Sequence, residues 1–417
     1  MNHYFNDGKI CSKNDFPSDI FKIFKERNYI KIIDNKFKIK VCGIVNFKKD
    51  NYIFFPKGYQ ILEDNKINNH IASFLFQSIR KYKGDVLLED DENDWLGNLN
   101  PEINFLDLLV WLIEDYLVNG LYRVSQKIIE NNGKGRIEWA KTIKSKIPFI
   151  KDNKFLYLDV LTSKSNVNFD HIISKIHKNI LIDCFNEIGW ALQISDSIDE
   201  IDDLNISKEH QIIMLEKKLK ETFVGHDIKL LQNLISYLKK TTADDLNFAL
   251  VTNKFENIWE KMLKSLLGHD DKIKISQPYW KRKNTSSPDN INQIPDILVN
   301  SKKGVIVLDA KYYSVKGSFP GWPDIVKQLF YALTLKSNYN IFLMPESIKK
   351  DKNFKYHGYA SVDGKESEFG FVHAFSIDIV KVLRSYIIED TNKLLLNEIV
   401  NFVEEKNLEL NTEYFSE

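Results

Sequence analysis

"IPDILVNSKKGVIVLDAKYY" (294–313) reads as two β-strands joined by a tight polar turn. Asp296 follows a proline at the start of one apolar run, Asp309 ends the next, and Lys311 sits two places later. Carboxylates placed among Ile, Val and Leu are costly to bury unless something pairs with them. A hairpin-length connection lays the two strands side by side, so the two carboxylates converge near one sheet end. Residues two apart on a strand share a face, which puts Lys311 with Asp309.

The flanking sequence extends the pattern. "NKFENIWEKMLKSLLG" is an amphipathic helix closed by Gly268, with Glu256 and Glu260 four apart on one face. "KIKISQPYW" reads as a strand, followed by a basic loop "KRKNTSSPDN". After the hairpin come a helix "PDIVKQLFYALTLKS", with Pro323 in its first turn, and a strand "YNIFLMP". The order is helix, three strands, helix, strand. Two carboxylates from adjacent strands suit a hard cation such as Mg²⁺, with a helix carboxylate able to complete the shell. An ammonium beside them can orient an attacking water or stabilise charge developing at phosphorus.

Upstream, "KFKIKVCGIVNF" and "NYIFFPKGY" read as strands around the turn "KKDN", a small β-containing unit over residues 1–80. Lys57 and the aromatics Tyr52, Phe54, Phe55 and Tyr59 are ligand-contact candidates there, against the plainer reading of β-core aromatics. Residues 81–250 read mainly as helices, beginning with "NFLDLLVWLIEDYLVNGLYRVSQKII". "GKGR" (133–136) lacks the Gly-x-x-x-x-Gly-Lys-Ser/Thr pattern of a phosphate loop. His171 and His177, six apart, point to different faces of a helix and make a poor metal pair. "ISDSIDEIDDLNISK" (194–208) is the best hinge candidate.

The chain has 417 residues, enough for two or three domains, with 43% hydrophobic and 28% charged residues, an ordinary globular composition. Its three cysteines, Cys11, Cys42 and Cys184, are far apart, which fits a reducing compartment and no cysteine zinc site. No signal-like segment or membrane-length apolar run occurs, so a cytoplasmic protein with no membrane contact is expected. The formal net charge of zero hides an uneven distribution. Asp85 to Tyr122 carries ten acidic and no basic side chains; 251–350 carries sixteen Lys and Arg against nine Asp and Glu. A basic C-terminal third is compatible with a polyanion, and Lys281, Arg282 and Lys283 are phosphate-contact candidates.

The order Glu, Pro-Asp, Asp-x-Lys on αβββαβ elements resembles the PD-(D/E)xK nuclease superfamily. Gln328 and Tyr331 in "QLFY" resemble the Gln-x-x-Tyr helix motif of the branch that includes RecB-type nucleases. More narrowly, "FENIWEKML", "IPDILV", "VLDAKYY" and "GWPDIVKQLFY", with "GIVNFKKDNYIFFPK" and "GRIEWAKTI" upstream, resemble the LlaJI family of restriction endonucleases. The resemblance implies Asp296 and Asp309 as metal ligands and Lys311 as the catalytic lysine. It implies Glu256 as the helix carboxylate with Glu260 in reserve, and Gln328 in support. Mg²⁺ is the implied cofactor, with Mn²⁺ as an alternative, and duplex DNA the implied substrate. The layout also resembles McrC-type subunits, whose N-terminal region docks on an AAA+ GTPase and whose C-terminal domain cuts.

The expectation is therefore an α+β multidomain protein: a β-containing unit (1–80), a mainly helical domain (81–250) and a PD-(D/E)xK αβββαβ nuclease core (251–417). The expected function is Mg²⁺-dependent DNA cleavage in restriction or phage defence. Alternatives are a McrC-like subunit activated by a McrB-like AAA+ GTPase, an RNA-cutting or nicking effector, and a catalytically silent DNA-binding subunit. The oligomeric state is open, with a homodimer allowed.

Overall fold

A computed structural model describes residues 1–48, 50–85, 105–152, 154–168, 171–194, 203–240, 246–281, 283, 289–290, 293–316, 319–349 and 351–414. The chain divides into two compact units. One comprises Met1–Leu106, Trp190–Gln193 and Asp245–Glu417; the other comprises Asp107–Gly189 and Ile194–Asp244. Among the described residues, no helix is long and apolar enough to cross a membrane.

In the first unit, the expected N-terminal strands form a four-stranded sheet in the order Asn2–Asn6, Asp50–Phe55, Cys42–Phe47, Leu246–Thr252. Its last strand comes from the far side of the helical region and pairs antiparallel with Cys42–Phe47. Residues 1–80 thus close their sheet with the segment just before the helix Phe255–Leu267, so the first and third expected segments fall in one unit. A second sheet, Ile10–Ser12, Lys36–Ile39 and Ile30–Ile33, covers a core around Phe24, Phe37 and Phe54. Tyr52, Phe54, Phe55 and Tyr59 are all buried, so these aromatics are core.

The site-bearing sheet has five strands in the order Ile297–Ser301, Gly304–Ala310, Tyr339–Glu346, Val372–Asp378, Phe354–Ala360. The first pair is antiparallel, the next two pairings are parallel, and the last is antiparallel. The parallel step from Gly304–Ala310 to Tyr339–Glu346 crosses over through the helix Trp322–Leu335, as such a connection requires. One expected strand is not in this sheet. Of "KIKISQPYW", only Tyr279–Trp280 is extended in a ladder, paired with Asp289–Asn290. Ile273 and Ile275 are held instead by packing against Leu298, Val307 and Tyr331. The alternation of that stretch reported burial on one face and not ladder hydrogen bonding.

The helix Phe255–Leu267 buries Phe255, Ile258, Trp259, Met262, Leu263, Leu266 and Leu267. At about 2 kcal/mol per buried side chain, this burial outweighs any exposed ion pair in fixing the helix. Gly268 ends it at φ +81°. Trp259 donates Nε1–H to the Leu343 carbonyl (3.3 Å), which ties the helix to the strand Tyr339–Glu346. The N-terminal β unit meets the end of that same strand. Ser347 N–H donates to the Gly58 carbonyl (2.9 Å), and Lys57 N–H donates to the Tyr312 hydroxyl (2.9 Å). Gly58 is required at this approach, since with φ +84° a Cβ there would lie 2.1 Å from the Pro345 carbonyl oxygen.

The second unit contains the helices Ile172–Cys184, Lys208–Lys220 and Gly225–Lys240 and most of Phe105–Asn119. It also contains more strand than its apolar spacing suggested. The helix expected through residue 129 stops at Asn119, because Gly120 takes φ +73° and its N–H closes on the Tyr116 carbonyl. The following Val124–Asn131 pairs antiparallel with Leu161–Asn168. "GKGR" leads into the strand Arg136–Ile137. His171 caps its helix by accepting from Ile173 N–H, while His177 is buried and accepts from Tyr122 N–H, so the two serve separate structural tasks. Most of the hinge candidate at 194–208 lies outside the described residues, as does Arg282 of the basic loop.

Candidate metal centre and lysine site

The strands Ile297–Ser301 and Gly304–Ala310 are joined by Lys302 and Lys303 alone, with Ser301 paired to Gly304. Ser301 Oγ–H donates to the Gly304 carbonyl (2.8 Å) and accepts from Lys303 N–H (3.1 Å), which locks the turn. This short turn fixes the register, and the ladder runs back to Ile297 opposite Leu308. Asp296 immediately precedes Ile297 and Asp309 immediately follows Leu308, so both carboxylates lie at the same end of the hairpin. Asp296 Oδ2 accepts from Ala310 N–H (2.8 Å), which holds the first carboxylate over the end of the second strand.

Asp309 is 2% exposed. Its Oδ2 lies 2.6 Å from Lys311 Nζ, so the same-face relation expected for residues two apart is realised as an ion pair. Lys311 Nζ also lies 2.9 Å from Asp324 Oδ1, and Tyr313 donates its hydroxyl to Asp324 Oδ2 (3.2 Å). Burial alone would lower the Lys311 pKa, but Asp309 and Asp324 outweigh it and raise the value above that of a free lysine. Lys311 is therefore a fixed cation and is unsuited to accept a proton near neutral pH.

Asp296 behaves oppositely. Desolvation, the Asp309 charge and the Glu260 charge push its carboxyl up to about 7, against smaller lowering effects from Ala310 N–H and Lys311. The helix carboxylate acting on this position is thus Glu260. Glu256, one turn earlier, is exposed in the helix's first turn. Trp259 is buried against the sheet one residue before Glu260, and the Glu260 carboxylate pairs with Lys264 four residues on. Gln328 is 1% exposed; its Nε2 donates to the carbonyls of Val307 (3.4 Å) and Ile341 (3.5 Å) on adjacent strands. It braces the strand carrying Asp309 and touches none of the site carboxylates through those bonds.

The structure thus brings Asp296, Asp309 and Lys311 together, sets Glu260 near them and leaves Glu256 exposed. It adds Asp324 and Tyr313, which the sequence reading missed. In "GWPDIV" an acidic residue behind a proline reads as an ordinary helix N-terminal charge. Only the crossover connection shows that this helix start faces Lys311.

Among the described residues, no group of three His, Cys, Asp or Glu is close enough together to hold an ion. Two carboxylates nevertheless suit Mg²⁺, which keeps several waters and is usually bound by one or two carboxylates together with substrate phosphate. Beyond desolvation, which lifts Asp296 most, the charges of Asp309 and Glu260 also raise it, and a divalent cation would relieve that repulsion. The donor set therefore fits a hard dication.

The raised Asp296 pKa has a checkable sign. With its folded pKa above the unfolded value, Asp296 contributes most stability below about pH 4, and this is lost as pH rises through about 7. In metal-free protein, Asp296→Asn should therefore gain stability relative to wild type between pH 5 and 7.5, by about 2 kcal/mol. Denaturant melts at the two pH values measure it, and an unchanged difference would refute the shift.

The chain is thus a mixed helix-and-sheet protein with several sheets, carrying two carboxylates and a half-buried lysine at one end of a hairpin. The chain belongs to the LlaJI restriction endonuclease family, whose model matches residues 41–383. It is 26% identical over 400 residues to the type II restriction enzyme BsuMI component YdjA of Bacillus subtilis, covering 88% of this chain and 83% of that protein. Among solved structures, it is similar to a chain of the Thermococcus gammatolerans assembly of McrB AAA+ hexamers with bound McrC. That match has 14% identity and a TM-score of 0.40, and it covers 96% of this chain and 100% of that one.

Proposed function

We propose that this protein is a Mg²⁺-dependent endonuclease that hydrolyses phosphodiester bonds of duplex DNA in restriction defence, through a PD-(D/E)xK-type core. The carrying observation is the Lys311 ammonium, gripped by Asp309 and Asp324 at the strand end where Asp296 accepts from Ala310 N–H. Asp296 and Asp309 would hold the cation, with Glu260 as the nearest further carboxylate. Mg²⁺ bound there, or Mn²⁺ in its place, would supply Lewis-acid polarisation of the phosphate and a more acidic water. Lys311 is placed to stabilise negative charge that grows on phosphate oxygens, because it stays protonated and is already oriented. Gln328 keeps the strand of Asp309 in place against its neighbour.

The relative YdjA is named as one component of a restriction enzyme. By analogy, this chain works alongside other subunits, and the absence of a phosphate loop in its sequence would leave any AAA+ GTPase motor to a separate McrB-like protein. The test is cleavage of duplex DNA with Mg²⁺ or Mn²⁺, run with and without such a neighbouring GTPase and nucleotide. Cutting that requires the metal supports the proposal. No cutting in any arm, with folded protein, refutes it.

Asp324 gives a separate expectation. Asp324→Asn keeps the shape of the Tyr313 contact and removes half of the negative charge beside Lys311. Single-turnover cleavage should slow about tenfold, worth about 1.4 kcal/mol. A rate equal to wild type would show that Asp324 does not hold Lys311 for chemistry.

A further inference from the structure

A cleft of about 880 Å³ opens between Asn6–Lys9 and Lys38 of the N-terminal β unit, the turn Lys57–Ile61, the segment Tyr312–Lys316 and the strand end Pro345–Ser347. The Tyr312–Lys316 segment runs directly on from Lys311. Tyr313 lines the cleft and also donates to Asp324, the carboxylate that grips Lys311. The cleft therefore begins where the lysine site ends.

Its charges are sorted. Asp7 is largely buried and lies 3.9 Å from Lys57 Nζ, whose ammonium also sits 4.5 Å from the Tyr312 ring centroid. Glu346 is engaged by Lys355 (3.0 Å) and accepts from Ser376 Oγ–H, so its charge is spent on neighbouring strands. Lys9, Lys38 and Lys316 remain exposed at the cleft, and among the described residues none of the three stands in an ion pair. The positive surplus at the cleft thus comes from Lys9 and Lys38 on the N-terminal β unit and from Lys316 on the segment that follows Lys311. Of the tyrosines that line it among the described residues, Tyr59 and Tyr312 are buried, and Tyr313 is engaged with Asp324. Lysines without stacking partners act as point charges on phosphate, independent of sequence.

We propose that this cleft holds the sugar-phosphate backbone of the DNA strand flanking the bond to be cut, with Lys9, Lys38 and Lys316 each contacting a phosphate. The proposal rests on the nuclease function above and adds where the strand leaves the site. A polynucleotide is favoured over a free nucleotide because the cleft is open and continuous with Tyr313.

The test is fluorescence anisotropy of the full chain with a labelled duplex, titrated with KCl in the absence of divalent metal. Each lost phosphate contact lowers the slope of log K against log salt by about 0.9, so Lys9→Gln/Lys38→Gln/Lys316→Gln should flatten it by roughly 2–3. A control, Lys22→Gln/Lys25→Gln/Lys365→Gln, removes equal charge from other exposed positions and should flatten it clearly less. An unchanged slope in the first variant, or an equal fall in both, overturns the cleft. So does a wild type that fails to bind duplex, or one that binds RNA of the same length more tightly with the same loss in the variant. Because this assay uses no chemistry, a DNA-binding but uncleaving protein with the flattened slope would support the cleft while refuting the nuclease function. A cutting protein with an unchanged slope would do the reverse.

Discussion

Asp309→Ala should abolish Mg²⁺-dependent cleavage of duplex DNA under conditions where the wild type cuts. Asp309 sits at the end of a core strand, 2% exposed, with its Oδ2 2.6 Å from the Lys311 ammonium. The substitution removes one of the two carboxylates at this end of the hairpin and releases the lysine from its main anchor. Loss of a single well-placed electrostatic group costs about 10²–10³ in rate. Loss of a metal ligand compounds it, so the expected activity lies below that range. Removing one partner of a buried ion pair also destabilises, so rates are to be compared only after a melting curve confirms folded protein. Full activity in this variant would end the assignment of the site.

Lys311→Ala should cut the single-turnover rate by about a hundredfold or more while changing DNA affinity little. Asp309 and Asp324 keep Lys311 charged, so its contribution is electrostatic and greatest when charge develops at the phosphate. Affinity is spread over many other Lys and Arg, including those along the cleft. Rate and affinity are measured on the same duplex, the second without metal. A parallel fall in both would make Lys311 a binding contact only.

The hairpin was the most legible part of the chain. Two apolar runs around "NSKKG" admit one register, and that register brings the positions next to Ile297 and Leu308, Asp296 and Asp309, to the same end of the hairpin. The N-terminal strands were legible for the same local reason. What sequence did not reveal depends on long-range pairing. Nothing in "LNFALVT" (246–252) announces that it completes the sheet begun at residue 2. Asp324 looked like a helix-start charge until the crossover set it against Lys311. That the charge of Glu260, and not that of Glu256, acts on Asp296 is a packing outcome that a four-residue spacing leaves undecided. Residues 81–250 read as mainly helical because apolar spacing runs smoothly through Gly120, where a left-handed φ ends the helix.

The central claim is that Asp296 and Asp309 together hold the divalent cation of a nuclease centre. Anomalous X-ray scattering from crystals of the full chain with duplex DNA and Mn²⁺ tests it most directly. The predicted result is a Mn²⁺ peak bound by oxygens of both carboxylates, at about the 2.1 Å typical of small hard dications, with DNA phosphate within reach of Lys311. No peak at this pair, at a Mn²⁺ concentration that supports cleavage, would contradict it.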